Sequence, residues 1–202
     1  MKILGTLVVL GLCLITVLSP CSGQNISRNE IKGIDAYVKT VDAIRRKRKT
    51  AELIFADTSG PTDETEKWRK FPSERALERL RKQSETYSIA YNWLNGGKIV
   101  ASNFTLFSPS GDWVKYVYHY FRADGTLARV ESDYRTFNGD FMVVRSRYFD
   151  RMGKQIHQTA KFLDLKTRKP KDASAGVMGD DADATDFYAS VEKLPFAHLL
   201  KK

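Results

Sequence analysis

From Tyr87 to Leu165 a glycine recurs every fourteenth residue: Gly97, Gly111, Gly125, Gly139 and Gly153. The segments between them are rich in Val, Tyr, Phe and Ile. Together these features mark an antiparallel β-meander with a tight turn at each glycine. Ala123-Asp124-Gly125, Phe137-Asn138-Gly139, Arg151-Met152-Gly153 and Pro109-Ser110-Gly111 each fit a three-residue hairpin loop. Such a loop is a type I turn followed by a left-handed residue, a conformation glycine tolerates. It predicts that Arg122 faces Thr126 and Thr136 faces Asp140, and this register fixes every other cross-strand pair.

Under that register, one face collects Val114, Tyr116, Tyr118, Tyr120, Val130, Tyr134, Met142, Val144, Tyr148, Ile156, Ala160 and Phe162. The other collects Lys115, His119, Arg129, Glu131, Asp133, Arg145, Arg147, His157 and Lys161. Alternation of this kind predicts one packed face and one wet face. Lys115 is expected opposite Asp133, and Glu131 opposite Arg145. The first strand has the opposite parity at Tyr87, Ile89, Tyr91 and Trp93. A one-residue bulge or a four-residue loop near Asn95-Gly96-Gly97 would restore it; otherwise the strand leaves the sheet.

Ahead of the meander, residues 1–23 read as a secretory signal: Lys2, an apolar run from Ile3 to Leu18, and small residues at the end. Lipoprotein processing at Cys21 is the lesser alternative, because Pro20 stands where a small residue is usual. The expected location is outside the cytoplasm, secreted or in a periplasm or cell envelope. Both cysteines, Cys13 and Cys21, fall in this segment. The exported chain would therefore rely on its hydrophobic core rather than on disulfides.

Residues 24–167 read as a single domain. Ser27-Arg28-Asn29-Glu30 has the form of a capping box. Ile31, Ile34, Val38, Val41 and Ile44 follow at helical spacing and predict a helix over about Arg28 to Lys47. It ends in Arg45-Arg46-Lys47-Arg48-Lys49, cations that complement a helix C-terminus or meet an anionic surface. Ala51 to Ala56 fits either a short strand or a continuation of the helix, and Thr58 onward reads as loop. Ser73 caps a second helix carrying Ala76, Leu77 and Leu80. Residues 168–186 read as a disordered linker, and 187–202 as a tail that either docks or serves as a partner-binding segment.

Two segments, YFRADGTL (Tyr120 to Leu127) and YFDRMGKQI (Tyr148 to Ile156), resemble hairpin repeats of the YD or MORN-variant kind. The resemblance spans two or three units and implies no catalytic residues.

The expected fold is therefore α+β: a six-stranded antiparallel β-meander with two N-terminal helices packed on one face. No metal-ligand, nucleotide or nucleophile motif stands out, and no cofactor is implied. The three histidines are His119, His157 and His198. Glu131 and Asp133 near His119 form the best available hydrolase arrangement, but acid–base work there would need burial that an open face does not give. Asn25-Ile26-Ser27 and Asn103-Phe104-Thr105 match glycosylation acceptors, and Asp180, Asp181 and Asp183 resemble a fragment of a calcium loop.

The net charge is +9. The basic strand residues Lys115, Arg129, Arg135, Arg145, Arg147 and Lys161 are the candidate binding residues, facing Glu131 and Asp133. The function read from the sequence is a non-enzymatic binding module for an anionic surface or polymer such as lipid, polysaccharide or nucleic acid. The alternative is a carrier, in which a curled sheet and its helices clasp a lipid or other apolar small molecule, in a layout similar to that of envelope lipid-carrier proteins.

Overall fold

The structure is a computed structural model in which residues 21–48, 50–60, 62–83, 86, 88–172 and 187–201 are described. The elements in chain order are α1 (Cys21–Arg48), β1 (Leu53–Asp57), β2 (Trp68–Phe71), α2 (Glu74–Arg81), β3 (Ser88–Asn95), β4 (Lys98–Phe107), β5 (Trp113–Phe121), β6 (Leu127–Thr136), β7 (Phe141–Phe149) and β8 (Gln155–Asp164). All eight strands join one antiparallel sheet in the order β2-β1-β3-β4-β5-β6-β7-β8.

The fold is α+β and meander-like, but the expected six strands with two N-terminal helices is corrected to eight strands, one N-terminal helix and one small helix. Of the stretch Ala51 to Ala56, the part from Leu53 forms strand β1, which pairs with β3 on one side and β2 on the other. β2 is four residues long and buries only Trp68 and Phe71, too short a run for alternation to reveal. α2 is inserted between β2 and β3, and Ser73 does cap it, its side chain accepting from the Ala76 N–H at 3.2 Å. The backbone of α1 runs on through Ser27 to Cys21, so Ser27-Arg28-Asn29-Glu30 is not a helix start. Ile34, Val38 and Val41 are buried, as their spacing requires.

The turn glycines sit where expected. Gly97, Gly111, Gly125, Gly139 and Gly153 all have φ between 77° and 85°. Around Gly125 and Gly153 the three-residue loops form: Arg122 N–H donates to Thr126 O at 2.8 Å, and Asp150 N–H to Lys154 O at 2.9 Å. A bulge then follows one pair further in. Phe121 pairs with Leu127, but Tyr120 pairs with Arg129, leaving Ala128 extra. Likewise Phe149 pairs with Gln155 and Tyr148 with His157, leaving Ile156 extra. Between β6 and β7 the loop has four residues, with Asp140 also left-handed at φ 49°, so Thr136 meets Phe141 rather than Asp140. Between β4 and β5 Ser108 N–H reaches Trp113 O, again one residue beyond a three-residue loop. Every hairpin of the meander from β4 onward thus gains one residue, so β6 and β8 turn opposite residues to each face from those expected, while β5 and β7 keep theirs. Lys115 pairs with Tyr134, and Glu131 with Ser146. On β3 the bulge between Trp93 and Leu94 keeps the first strand in the sheet.

Neither face as a whole is wet. α1 lays Ile34, Val38 and Val41 against Val100, Ala101, Tyr120, Ala128 and Tyr148, and on the same face α2 buries Leu77 against Ile54, Ala56 and Ile89. The C-terminal tail covers much of the other face. Thr126 bridges to Ser190, Leu127 N–H donates to Ala189 O, and Val191 N–H to Gly125 O. Phe196, wholly buried, stacks on Phe55 with ring centroids 4.2 Å apart and packs beside Trp68 and Phe104. Residues 187–201 are thus a docked part of the domain. Of the expected linker, the described residues 168–172 fold back on β8, where Leu163 bridges to Pro170. The remainder, including Asp180, Asp181 and Asp183, lies outside the described residues, as do residues 1–20.

Candidate functional site

The corrected register separates the six basic residues singled out from the sequence. Lys115, Arg145 and Arg147 belong to the tail-covered face; Arg129, Arg135 and Lys161 belong to the helix-covered face. Lys115 and Arg145 are buried, at 4% and 7% exposure, and Arg147 is half-buried. Arg129 is held between Asp35 at 3.3 Å, Glu131 and the Ser146 hydroxyl. Arg135 makes a two-point contact with Asp133 at 2.9 and 2.6 Å and lies over the Tyr116 ring. Lys161 alone of the six is exposed, on β8. The sheet therefore does not assemble them into one basic surface.

The histidine–carboxylate arrangement is divided the same way. His119 pairs with Val130 on the tail side, while Tyr118 pairs with Glu131 and Tyr116 with Asp133 on the helix side. His119 is fully buried among Phe104, Phe121 and Tyr188, and its Nε2 accepts the Tyr188 N–H at 3.2 Å. Burial pushes its pKa down to about 4, so it is a neutral core residue. His157 is exposed on β8 beside the Tyr148 ring. Among the described residues no three His, Cys, Asp or Glu side chains converge on a metal position. Asn103 is buried within β4, which withdraws that glycosylation acceptor from solvent in the folded chain.

Two features on the helix side bring chemical groups together. The first is a basic rim. α1 ends in Arg45 to Arg48, and Ala51, just beyond, packs against the cluster that holds Leu77 of α2, as Ala76 and Leu80 do. This contact sets the α1 terminus beside α2. Arg48 pairs with Glu52, and Arg81 with Glu78 at 3.1 Å. Arg46, Lys47, Arg75, Arg79 and Lys82 are exposed and make no ion pair among the described residues.

The second is a cleft of about 460 Å³ between α1 and the sheet, floored by Trp93, Tyr118, Tyr120 and Glu131 and walled by Asp42, Arg45 and Arg46. The Arg45 guanidinium lies 4.4 Å from the Tyr118 ring centroid and 4.8 Å from that of Trp93. It donates to Asp42 at 2.7 Å and to the Tyr120 hydroxyl at 3.2 Å; the Tyr120 hydroxyl in turn donates to Asp42 at 3.1 Å. Burial, and then the Asp42 carboxylate, raise the Tyr120 pKa, so its hydroxyl stays protonated. The basic run at Arg45 signalled a helix end in the sequence. That its first member would turn inward was foreshadowed only by Asp42, one helical turn earlier and next to buried Val41.

No family model matches the chain, and no curated protein or solved structure matches it. No helix among the described residues is long and apolar enough to cross a membrane.

Proposed function

We propose that this protein is an exported, non-catalytic binding module, and that it engages an anionic polymer or surface through the rim formed by the end of α1 and by α2. One observation carries the reading: five exposed cations, Arg46, Lys47, Arg75, Arg79 and Lys82, make no ion pair among the described residues and lie at the end of α1 and on α2 or its C-cap, with Ala51, just past α1, packed in the Leu77 cluster. A patch of one sign raises the local concentration of oppositely charged ligands, and salt weakens it. The cations first singled out on the strands fit this role less well, because most are buried or neutralised by carboxylates. An apolar lipid is the poorer match for the helix–sheet cleft, whose walls carry two carboxylates and two guanidiniums.

The test is retention of the mature protein on heparin and on anionic vesicles at low and moderate salt, beside an Arg75→Glu/Arg79→Glu variant. The reading predicts retention that falls with salt and is largely lost in the variant. Equal retention by both proteins, or none by either, contradicts it. Comparing the two matrices separates a polysaccharide partner from a lipid surface.

A further inference from the structure

We infer that the cleft between α1 and the sheet is a seat for one pyranose sugar, a site that shares only Arg46 with the basic rim and is carried by different observations. The cleft presents donors and acceptors together beside aromatic rings, and that mixture selects the ligand. Asp42 uses only Oδ1 in its contacts with Arg45 and Tyr120, and Glu131 only Oε2 in its contacts with Arg129 and Ser146. Each carboxylate therefore keeps one oxygen without a hydrogen bond among the described residues. On the donor side, the Trp93 indole N–H and the Arg45 Nε–H are buried without an acceptor. Buried polar groups of native proteins are nearly always paired, so unmatched donors on two cleft-lining residues call for an acceptor that a small shift of either side chain would let a ligand oxygen supply.

The ligand classes can be weighed against this inventory. An aliphatic chain would leave both donors and both carboxylate oxygens unmatched. A phosphate would meet the Asp42 and Glu131 charges at close range. A vicinal diol donates to carboxylate oxygens and accepts from N–H groups at once. The cavity of about 460 Å³ is within the range of small-molecule sites. Arg46, exposed at the mouth and without an ion pair among the described residues, adds a preference for a sugar that carries a carboxylate.

The experiment is a titration of the mature protein with glucuronate, glucose and octanoate, followed at the Trp93 indole resonance and by ligand-observed NMR. Glucuronate should bind with a Kd on the order of millimolar, glucose more weakly, and octanoate not at all. Trp93→Phe keeps the ring but removes the N–H donor, and should weaken glucuronate binding by about fivefold or more, the loss of one hydrogen bond. Arg75→Glu/Arg79→Glu should bind glucuronate as the wild type does while losing heparin, and Trp93→Phe should keep heparin. The proposal is overturned if neither sugar binds, if Trp93→Phe binds glucuronate as tightly as the wild type, or if octanoate binds better than the sugars. A failure on heparin alone would overturn the rim and leave the cleft standing.

Discussion

Strand β5 contributes alternate residues to two unlike environments. Val117, His119 and Phe121 point toward the tail, into a cluster that includes Phe55, Phe104 and Phe196. Tyr116, Tyr118 and Tyr120 point toward α1 and α2, among Arg45, Asp42 and Arg135. Under the tail His119, enclosed by the aromatic cluster, is held neutral. Under α1 charged groups are retained, paired across the helix–sheet interface by Arg129–Asp35 and by the Tyr148 hydroxyl donating to Asp35 at 2.9 Å. Apolar burial stabilises a fold more dependably than ion pairs do, since desolvation offsets much of an ion pair's attraction. The tail-covered face therefore holds the largest single apolar cluster, and the helix-covered face keeps groups able to meet a ligand.

The largest expected effect is at the tail. Phe196→Ala should cost about 3–5 kcal/mol, the range for removing a large buried aromatic, read as a fall in the urea midpoint with an unchanged slope. Removing charge from the opposite face should cost far less.

Acid should then weaken the tail face selectively. His119 has an unfolded pKa of 6.5 and a folded pKa of about 4. Between these values the unfolded chain binds the proton and the folded chain does not. The contribution of the neutral ring is thus complete above pH 6.5 and declines as pH falls toward 4, by about 3 kcal/mol in all. Urea midpoints across this window should show the slope in the wild type and lose most of it in His119→Gln, whatever the variant's absolute stability.

Backbone effects should be smaller and differ in sign. Gly125 has φ +85°, so Gly125→Ala should cost about 1 kcal/mol or more. Gly33 lies within α1 with open space at its Cβ position, so Gly33→Ala should stabilise by roughly 0.5–1 kcal/mol. Thermal melts of the two variants check the opposed directions. Smallest is Arg135→Ala, which removes a partly exposed ion pair with Asp133 and should cost under about 1 kcal/mol.

The division between the faces was only partly legible in the sequence. The turn glycines fixed where the meander reverses, because a left-handed residue in a tight turn leaves few substitutes. The sequence pattern alone places β6 and β8 the wrong way round, because Ala128 and Ile156 are inserted one pair inside otherwise ordinary turns. Neither residue differs chemically from its neighbours in a way that announces a bulge. The alternation also misled, since polar residues such as Lys115, His119 and Arg145 lie on a buried face. The tail that covers part of that face is sixty residues or more from most of the strand positions it packs on, as Phe196 is from Phe55 and Phe104. No local pattern encodes that contact. At the cleft, Arg45 was visible as a charge and Trp93 as an apolar strand residue, but their stacking depends on how α1 crosses β3 and β5.

Urea unfolding of a chain ending at residue 186, beside the full-length protein, tests the division most directly. If the tail face holds the fold together, removing Phe187 to Lys202 exposes the cluster around Phe55, Phe104 and Phe121, and the midpoint should collapse toward zero urea. A truncated chain that unfolds at the full-length midpoint, with the same slope, would show that the helix-covered face alone sustains the fold and would contradict the account.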